Sequence, residues 1–323
     1  MGDNTLRVLV SRRWPARVEA ELRRLYDVTL NESDAPLSAE AFRAALRDYD
    51  VICPTVSDKL PREVLNVDGR RTRLLGNFGV GVDHIDLVAC RDLGIAVSNT
   101  PGVLTEATAD CALTLLLMVA RRAEEGAREL RAGEWTGWRP THLVGMALEG
   151  KELGLVGYGR IAKAFARKCH LAFGMKVRFY ARRPVAPQPG DVPAEQARDL
   201  DDLLTSADVV SLHVPGGAET RGLFGATTLA KMKPGAVLIN TARGEIVDHA
   251  ALAAALKAGT IGGAGLDVFP AEPAIPEGLL DAPNLVMLPH LGSATVETRE
   301  AMGFKVLANI AAFAAGAPLP DSV

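Results

Sequence analysis

Cysteine, aromatic residues and charge of one sign are all in short supply in this chain. Its four cysteines, Cys53, Cys90, Cys111 and Cys169, lie far apart with no CxxC pair. That excludes a disulfide framework and reads as reduced, structural thiols of a cytoplasmic protein. Lys and Arg number 36 against 39 Asp and Glu, a net charge of −3, so no electrostatic footprint for nucleic acid or anionic membrane is expected. Long apolar runs are also missing. The longest, Cys111–Ala120, includes Thr114 and falls far short of the ~20 residues that cross a bilayer. The start, Met1-Gly2-Asp3-Asn4-Thr5-Leu6, has no basic segment leading into an apolar one, so no secretory leader is expected. Leu6 also stands where a myristoylation signal carries Ser or Thr. No His, Cys or carboxylate group has metal-ligand spacing, and no metal is expected.

What is present is ordinary globular material: 323 residues, 48% hydrophobic and 23% charged, enough for about two domains of ~100–200 residues. Leu6–Val10, Asp50–Cys53, Arg73–Gly76 and Ile95–Val97 read as buried strands, alternating with helical stretches such as Arg17–Leu25 and Ser38–Leu46. Pro101-Gly102 punctuates, and a helical run from Thr105 to about Leu130 follows. A second series opens after Gly150. Leu153–Val156, Val177–Tyr180, Val209–His213, Ala236–Asn240, Ala264–Val268 and Leu285–Leu288 read as strands, with helices such as Ile161–Leu171 and Ala250–Ala258 between them. Alternation of this kind implies parallel α/β sheets in two domains, with ligands beyond the carboxyl ends of the strands. The Pro- and Arg-rich Arg182–Pro193 reads as a surface loop.

Leu153-Gly154-Leu155-Val156-Gly157-Tyr158-Gly159-Arg160-Ile161-Ala162 has the order strand, tight turn, helix start. Gly157 permits the turn, Gly159 lets backbone approach a pyrophosphate, and small Ala162 lets the helix pack on the strand. Arg160 and Ile161 then begin a helix whose N-terminus favours phosphate. The next strand runs into Ala181-Arg182-Arg183, and no Asp or Glu occurs from Arg160 to Gly190. A carboxylate there would select the ribose of NAD, whereas arginine suits the 2′-phosphate of NADP. The expected cofactor is therefore NADPH, with NADH also usable.

Three further strands run into polar motifs: Thr241-Ala242-Arg243-Gly244, Leu266-Asp267-Val268-Phe269-Pro270-Ala271-Glu272-Pro273, and Leu288-Pro289-His290-Leu291-Gly292-Ser293. Singly, Arg243 reads equally as a surface arginine, Glu272 as a turn residue and His290 as a helix cap. Together, a cationic fork, a histidine and a carboxylate form a kit for reducing a 2-oxo acid. The guanidinium holds a carboxylate and stabilises charge developing on the carbonyl oxygen. Histidine supplies the proton, its ordinary pKa of about 6.5 suiting work near neutrality, and a carboxylate beside it favours the charged form. The cofactor side is expected to include Thr241, Ala242, Asp267, His290 and Gly292, with His213 and Pro215 at another strand end and Thr105 at a helix start. N-capping explains Thr105 equally well, and His84 reads as a cap of the next helix.

These motifs, with the GxGxxA turn and the loop Gly76-Asn77-Phe78-Gly79-Val80-Gly81-Val82-Asp83, resemble the D-isomer-specific 2-hydroxyacid dehydrogenases over essentially the whole chain. Within that family the chain is most similar to the glyoxylate/hydroxypyruvate reductases, on Arg182-Arg183 and on Gly133-Glu134-Trp135-Thr136-Gly137-Trp138-Arg139-Pro140. The resemblance implies a Rossmann cofactor domain, residues 100–289, inserted into a flavodoxin-like substrate domain made of residues 1–99 and 290–323. It implies that Arg243 binds the substrate, His290 is the general acid/base and Glu272 pairs with it. Val80 and Gly81 would hold the substrate carboxylate through backbone N–H groups, and Asp267 would act behind the histidine. A homodimer is implied, with Thr105–Arg131 at its interface and Trp138 reaching the neighbouring subunit's substrate site, as is closure of the domains over the substrate. The expected reaction is NADPH-dependent reduction of glyoxylate to glycolate and of hydroxypyruvate to D-glycerate. Alternatives are 2-ketogluconate, phosphohydroxypyruvate or phosphite as substrate, and a non-catalytic NAD(H)-sensing adaptor. The lack of a C-terminal regulatory extension weighs against the second, and the lack of lysine in Gly79-Val80-Gly81 against the third.

Overall fold

The computed structural model describes residues 5–323; residues 1–4, which carry much of the expectation about a leader, lie outside them. The chain divides into two compact units, one running to Leu104 and including Ala294–Val323, the other Thr105–Ser293. Up to Leu104 the elements are β1 (Arg7–Val10), α1 (Ala16–Leu25), β2 (Asp27–Leu30), α2 (Ala39–Asp48), β3 (Val51–Cys53), α3 (Arg62–Leu65), β4 (Leu74–Gly76), α4 (Leu87–Asp92) and β5 (Ala96–Ser98). The second unit opens with α5 (Thr105–Ala120), α6 (Ala123–Ala132), β6 (Glu152–Val156), α7 (Arg160–Phe173), β7 (Lys176–Tyr180) and β8 (Ala194–Gln196). It continues through α8 (Leu200–Ser206), β9 (Val209–Leu212), α9 (Ala226–Leu229), β10 (Val237–Asn240), α10 (His249–Lys257), β11 (Gly263–Leu266) and β12 (Leu285–Met287). Helix α11 (Val296–Ala314) returns to the first unit.

The first unit is a five-stranded parallel sheet in the order β2-β1-β3-β4-β5, the flavodoxin-like arrangement. Helices α1 and α11 cover one face, and α2, α3 and α4 the other. The return of α11 is close-packed: a Cβ on Gly303 would stand 2.7 Å from Val18, and one on Gly76 would stand 2.8 Å from Val306. The second unit is a seven-stranded parallel sheet ordered β12-β11-β10-β9-β6-β7-β8. Counted from β6, this is the dinucleotide-binding order with one strand appended. Its two faces carry separate cores, one against α5 and α7 and one against α8, α9 and α10. Both sheets are thus doubly wound, as the alternation of strand and helix predicts. Among the described residues, no helix is long and apolar enough to cross a membrane.

Three local readings need correction. Strands β2 and β8 lie at sheet edges, where partial solvation removes the apolar run that marks a buried strand. The helical run after Thr105 is two helices, not one. The carbonyl of Ala120 accepts from the Met146 amide (2.8 Å), ending α5, and Arg122 turns left-handed at φ +50°. A side chain at Gly145 would meet that carbonyl at 2.0 Å, so glycine is required where the chain crosses the helix end. Finally, His84 does not cap α4; the Asp86 carboxylate does, accepting from Ala89 N at 2.8 Å.

The end of β9 carries a titratable group. His213 Nε2 is 2.9 Å from Ser211 Oγ, and its ring centroid is 5.8 Å from that of Phe165. Burial pushes its pKa down from 6.5 to about 3, although the residue keeps some accessible surface. The folded protein then binds fewer protons than the unfolded chain. The associated stability is present above about pH 6.5 and is lost as pH falls toward 3. In urea titrations, the wild type is expected to lose up to about 2 kcal/mol more than His213→Asn between pH 7 and pH 5. Equal losses would show that the ring is solvated.

Candidate active site

Where the strand order reverses, β6 and β9 run side by side and their exits diverge, which opens a crevice at the carboxyl edge of the sheet. Gly157 leaves β6 at φ +91°, and a Cβ there would stand 2.5 Å from the His213 carbonyl oxygen, so only glycine fits. Gly159 faces open space, with nothing within 4 Å of a Cβ position. Helix α7 begins with no side-chain cap; Arg160 is exposed, Ile161 half-buried and Ala162 fully buried. The first amides of such a helix have no intrahelical partner and can accept an anion. At the exit of β10, the Thr241 hydroxyl is buried and makes no hydrogen bond to the described residues.

Arg243, Glu272 and His290 all leave the same edge of this sheet, after β10, β11 and β12. Asn240, fully buried, holds the arginine turn: its Oδ1 accepts from Ala242 N (3.0 Å) and its Nδ2 donates to Arg243 O (2.8 Å). Gly244 then passes so close to Phe269 that a Cβ would meet its carbonyl carbon at 2.0 Å, which brings the exits of β10 and β11 together. Glu272 uses both oxygens: Oε1 accepts from Phe269 N at 2.9 Å, and Oε2 is 2.8 Å from His290 Nδ1. Burial works to raise the Glu272 pKa. The hydrogen bonds from His290 and Phe269, with the charges of His290 and Arg243, outweigh burial and hold the carboxyl below the usual range. An ionised carboxylate only accepts, so Nδ1 carries a proton and Nε2 is the ring nitrogen left to face a reactant.

Asp267 fixes the backbone of the histidine turn. Its carbonyl accepts from His290 N (2.9 Å), and its carboxylate from Leu291 N (2.6 Å) and Gly292 N (2.8 Å). His290 itself sits at φ +56°. Burial raises the Asp267 pKa despite these bonds, and burial together with the Asp267 charge pushes the Cys111 thiol up to about 12. The histidine turn is thus held at three backbone positions by one residue.

In the first unit, the loop after β4 is organised by two asparagines that the motif reading passed over. Asn77 Nδ2 donates to the carbonyls of Gly79 and Gly81, both at 3.0 Å. Asn99 Nδ2 donates to Val80 O at 2.8 Å, and Thr100 N to Gly79 O at 3.0 Å. Asn77 Oδ1 in turn meets His84 Nε2 at 3.0 Å, which is what His84 does in place of capping. These bonds fix the carbonyls of Gly79, Val80 and Gly81 and so hold the backbone of the loop.

The remaining candidates scatter. Arg182 and Arg183 follow β7 and are exposed, and Arg182 forms an ion pair with Glu219, a partner the sequence motifs did not reveal. Pro215 is exposed, and Thr105 is itself the first residue of α5. Trp138 is 83% exposed on the segment after α6. Among the described residues no group of three or more His, Cys, Asp or Glu could hold a metal ion.

Residues 113–292 match the family model described as D-isomer specific 2-hydroxyacid dehydrogenase, NAD binding domain. The chain is 41% identical over 321 residues to a glyoxylate reductase of Thermococcus litoralis, covering 98% of this chain and 96% of that one. It is 36% identical to a glycerate dehydrogenase of Hyphomicrobium methylovorum, covering 97% of each. Among solved structures, it aligns at a TM-score of 0.87 and 37% identity with the NADPH-dependent glyoxylate/hydroxypyruvate reductase of Sinorhizobium meliloti in complex with NADP and malonate, covering 99% of this chain and 97% of that one. With sheet order, site chemistry and whole-length similarity in agreement, the chain belongs to the D-isomer-specific 2-hydroxyacid dehydrogenase family and is an enzyme of that class.

Proposed function

We propose that the enzyme reduces glyoxylate to glycolate and hydroxypyruvate to D-glycerate, with NADPH as its preferred donor and NADH as a second. The observation that carries this reading is the 2.8 Å contact between His290 Nδ1 and the Glu272 carboxylate, on the sheet edge that also presents Arg243. The whole-length relatives bearing the names glyoxylate reductase and glycerate dehydrogenase support the choice of substrates. The Gly157 turn, the open approach at Gly159 and the unpartnered Thr241 hydroxyl fit a dinucleotide; Gly157, Gly159, Arg160, Ile161, Thr241 and Ala242 would hold it.

When bound, the reduced nicotinamide supplies the hydride that reaches the 2-oxo carbon. Arg243 binds the substrate and stabilises the negative charge gathering on its carbonyl oxygen. His290 delivers the proton from Nε2 to that oxygen, while Glu272 holds Nδ1 and compensates the ring's charge. The Val80 and Gly81 amides offer a cradle for the substrate carboxylate. Arg182 and Arg183 read the 2′-phosphate, as the Sinorhizobium meliloti reductase in complex with NADP encourages. We further propose a homodimer in the cytoplasm. Exposed Leu130, Trp135, Trp138 and Val144 on α6 and the segment after it supply an apolar surface, and four buried, unpaired cysteines suit a reducing compartment.

Three results would test this. Rapid oxidation of NADPH with glyoxylate and hydroxypyruvate, reduced about 10²–10⁴-fold in kcat by His290→Gln, is expected; absence of turnover with any 2-oxo acid would favour an adaptor. Arg182→Ala with Arg183→Ala should raise KM for NADPH about ten- to a hundredfold and leave KM for NADH nearly unchanged. Sedimentation should show a dimer that Leu130→Glu with Val144→Glu converts to monomer; a monomeric wild type would remove the proposed interface.

A further inference from the structure

We propose that Glu219 is the carboxylate that sets how this enzyme divides its use between NADH and NADPH. The inference rests on the reading of Arg182 and Arg183 as the 2′-phosphate site. A dinucleotide fold using NAD(H) normally ends its second strand on an acidic residue that accepts from the ribose 2′-OH. Here β7 ends on Tyr180 and runs into Ala181-Arg182-Arg183, with no Asp or Glu anywhere from Arg160 to Gly190. The fold brings a carboxylate to this position from elsewhere. Glu219, 37 residues beyond Arg182, stands in the segment after β9, and its Oε2 accepts from Arg182 Nη1.

The neighbouring acids are committed to other partners. Asp191 binds Lys163 Nζ at 2.7 Å and the Gln188 amide at 2.9 Å, and Glu195 pairs with Arg178 at 3.2 Å. Glu219 is therefore the carboxylate placed on the arginine turn. Backbone contacts anchor both sides of the pair. Gln196 Nε2 donates to the carbonyls of Ala181 (3.2 Å) and Arg183 (3.1 Å), while its Oε1 accepts from Val185 N (3.1 Å). On the other side, Thr220 Oγ1 donates to Pro215 O at 2.8 Å. The paired side chains themselves are 73% and 77% exposed, so charge holds them together and a ligand can reach both.

The two cofactors meet this pair differently. An unphosphorylated ribose leaves it intact, because a carboxylate engaged by one arginine still has lone pairs for a hydroxyl. A 2′-phosphate must draw Arg182 away from Glu219 and then lies beside an uncompensated negative charge. Glu219 thus opposes what Arg182 and Arg183 contribute to NADPH binding, and dual cofactor use follows from the balance.

The test is calorimetric binding of NADP⁺ and NAD⁺ to the wild type, Glu219→Gln, Arg182→Ala/Arg183→Ala and the triple variant. The probes 2′,5′-ADP and 5′-AMP isolate the phosphate. Glu219→Gln is expected to tighten NADP⁺ and 2′,5′-ADP about three- to tenfold, in keeping with an exposed ion pair, without tightening NAD⁺ or 5′-AMP. The shift should shrink when both arginines are absent, to what direct repulsion of the phosphate leaves. If the double-arginine variant loses its preference for NADP⁺ while Glu219→Gln changes nothing, or tightens both cofactors equally, the role of Glu219 is overturned and the 2′-phosphate reading stands. If removing the arginines leaves the preference untouched, that reading falls and the Glu219 inference with it. A Glu219→Gln shift undiminished without the arginines would overturn the coupling through Arg182.

Discussion

One close approach governs the seven-stranded sheet: the backbone of Gly157 against the carbonyl of His213, where a Cβ would stand only 2.5 Å away. It allows β6 and β9 to lie as neighbours while their outgoing chains turn in opposite directions. The polar chemistry of the unit gathers along the edge this divergence opens. Because every strand in the sheet is parallel, all carboxyl ends emerge together, and the chain leaving each must turn away through a segment whose amides and carbonyls need partners.

The chain meets that need with small polar side chains at the strand exits. Asn240 satisfies the turn of Arg243, Asp267 that of His290, and Asn77 and Asn99 the loop of Val80 and Gly81. Leaving one such buried backbone group unsatisfied costs about 1–3 kcal/mol, so these residues stabilise the turns and fix the direction of the reactive groups beside them. Electrostatics completes the arrangement. Glu272 stays ionised against the pull of burial because His290 and the Phe269 amide hold it, and an ionised partner leaves the histidine one orientation of its ring.

Much of this was legible beforehand. Central strands announce themselves as apolar runs because both of their faces are covered, and Gly157-Tyr158-Gly159 flanked by strand and helix has one reading. The edge strands β2 and β8 were not legible, since their exposed sides carry polar residues. The break after Ala120 was hidden because a segment arriving from Gly145 causes it, and no local residue does. Asn77, Asn99 and Asn240 did carry a signal, each standing at the end of an apolar strand, where a polar amide has a use only if it serves a turn. Glu219 carried none, for its partner lies 37 residues away in the sequence.

Helix α11 has a consequence for the birth of the molecule. It covers the face of the first sheet that holds Val8, Val10, Val51 and Leu74, burying Met302, Val306 and Ile310 there. A ribosome reading from the N-terminus finishes the strands of that sheet early, yet delivers its covering helix only after Thr105–Ser293 has been made. The intervening unit is contiguous and has both of its own cores, so it can mature during translation while the older sheet waits with this face covered by α1 alone. Vectorial synthesis therefore reverses the order of completion, and the oldest part of the chain is the last to be sealed and the one most in need of chaperone cover.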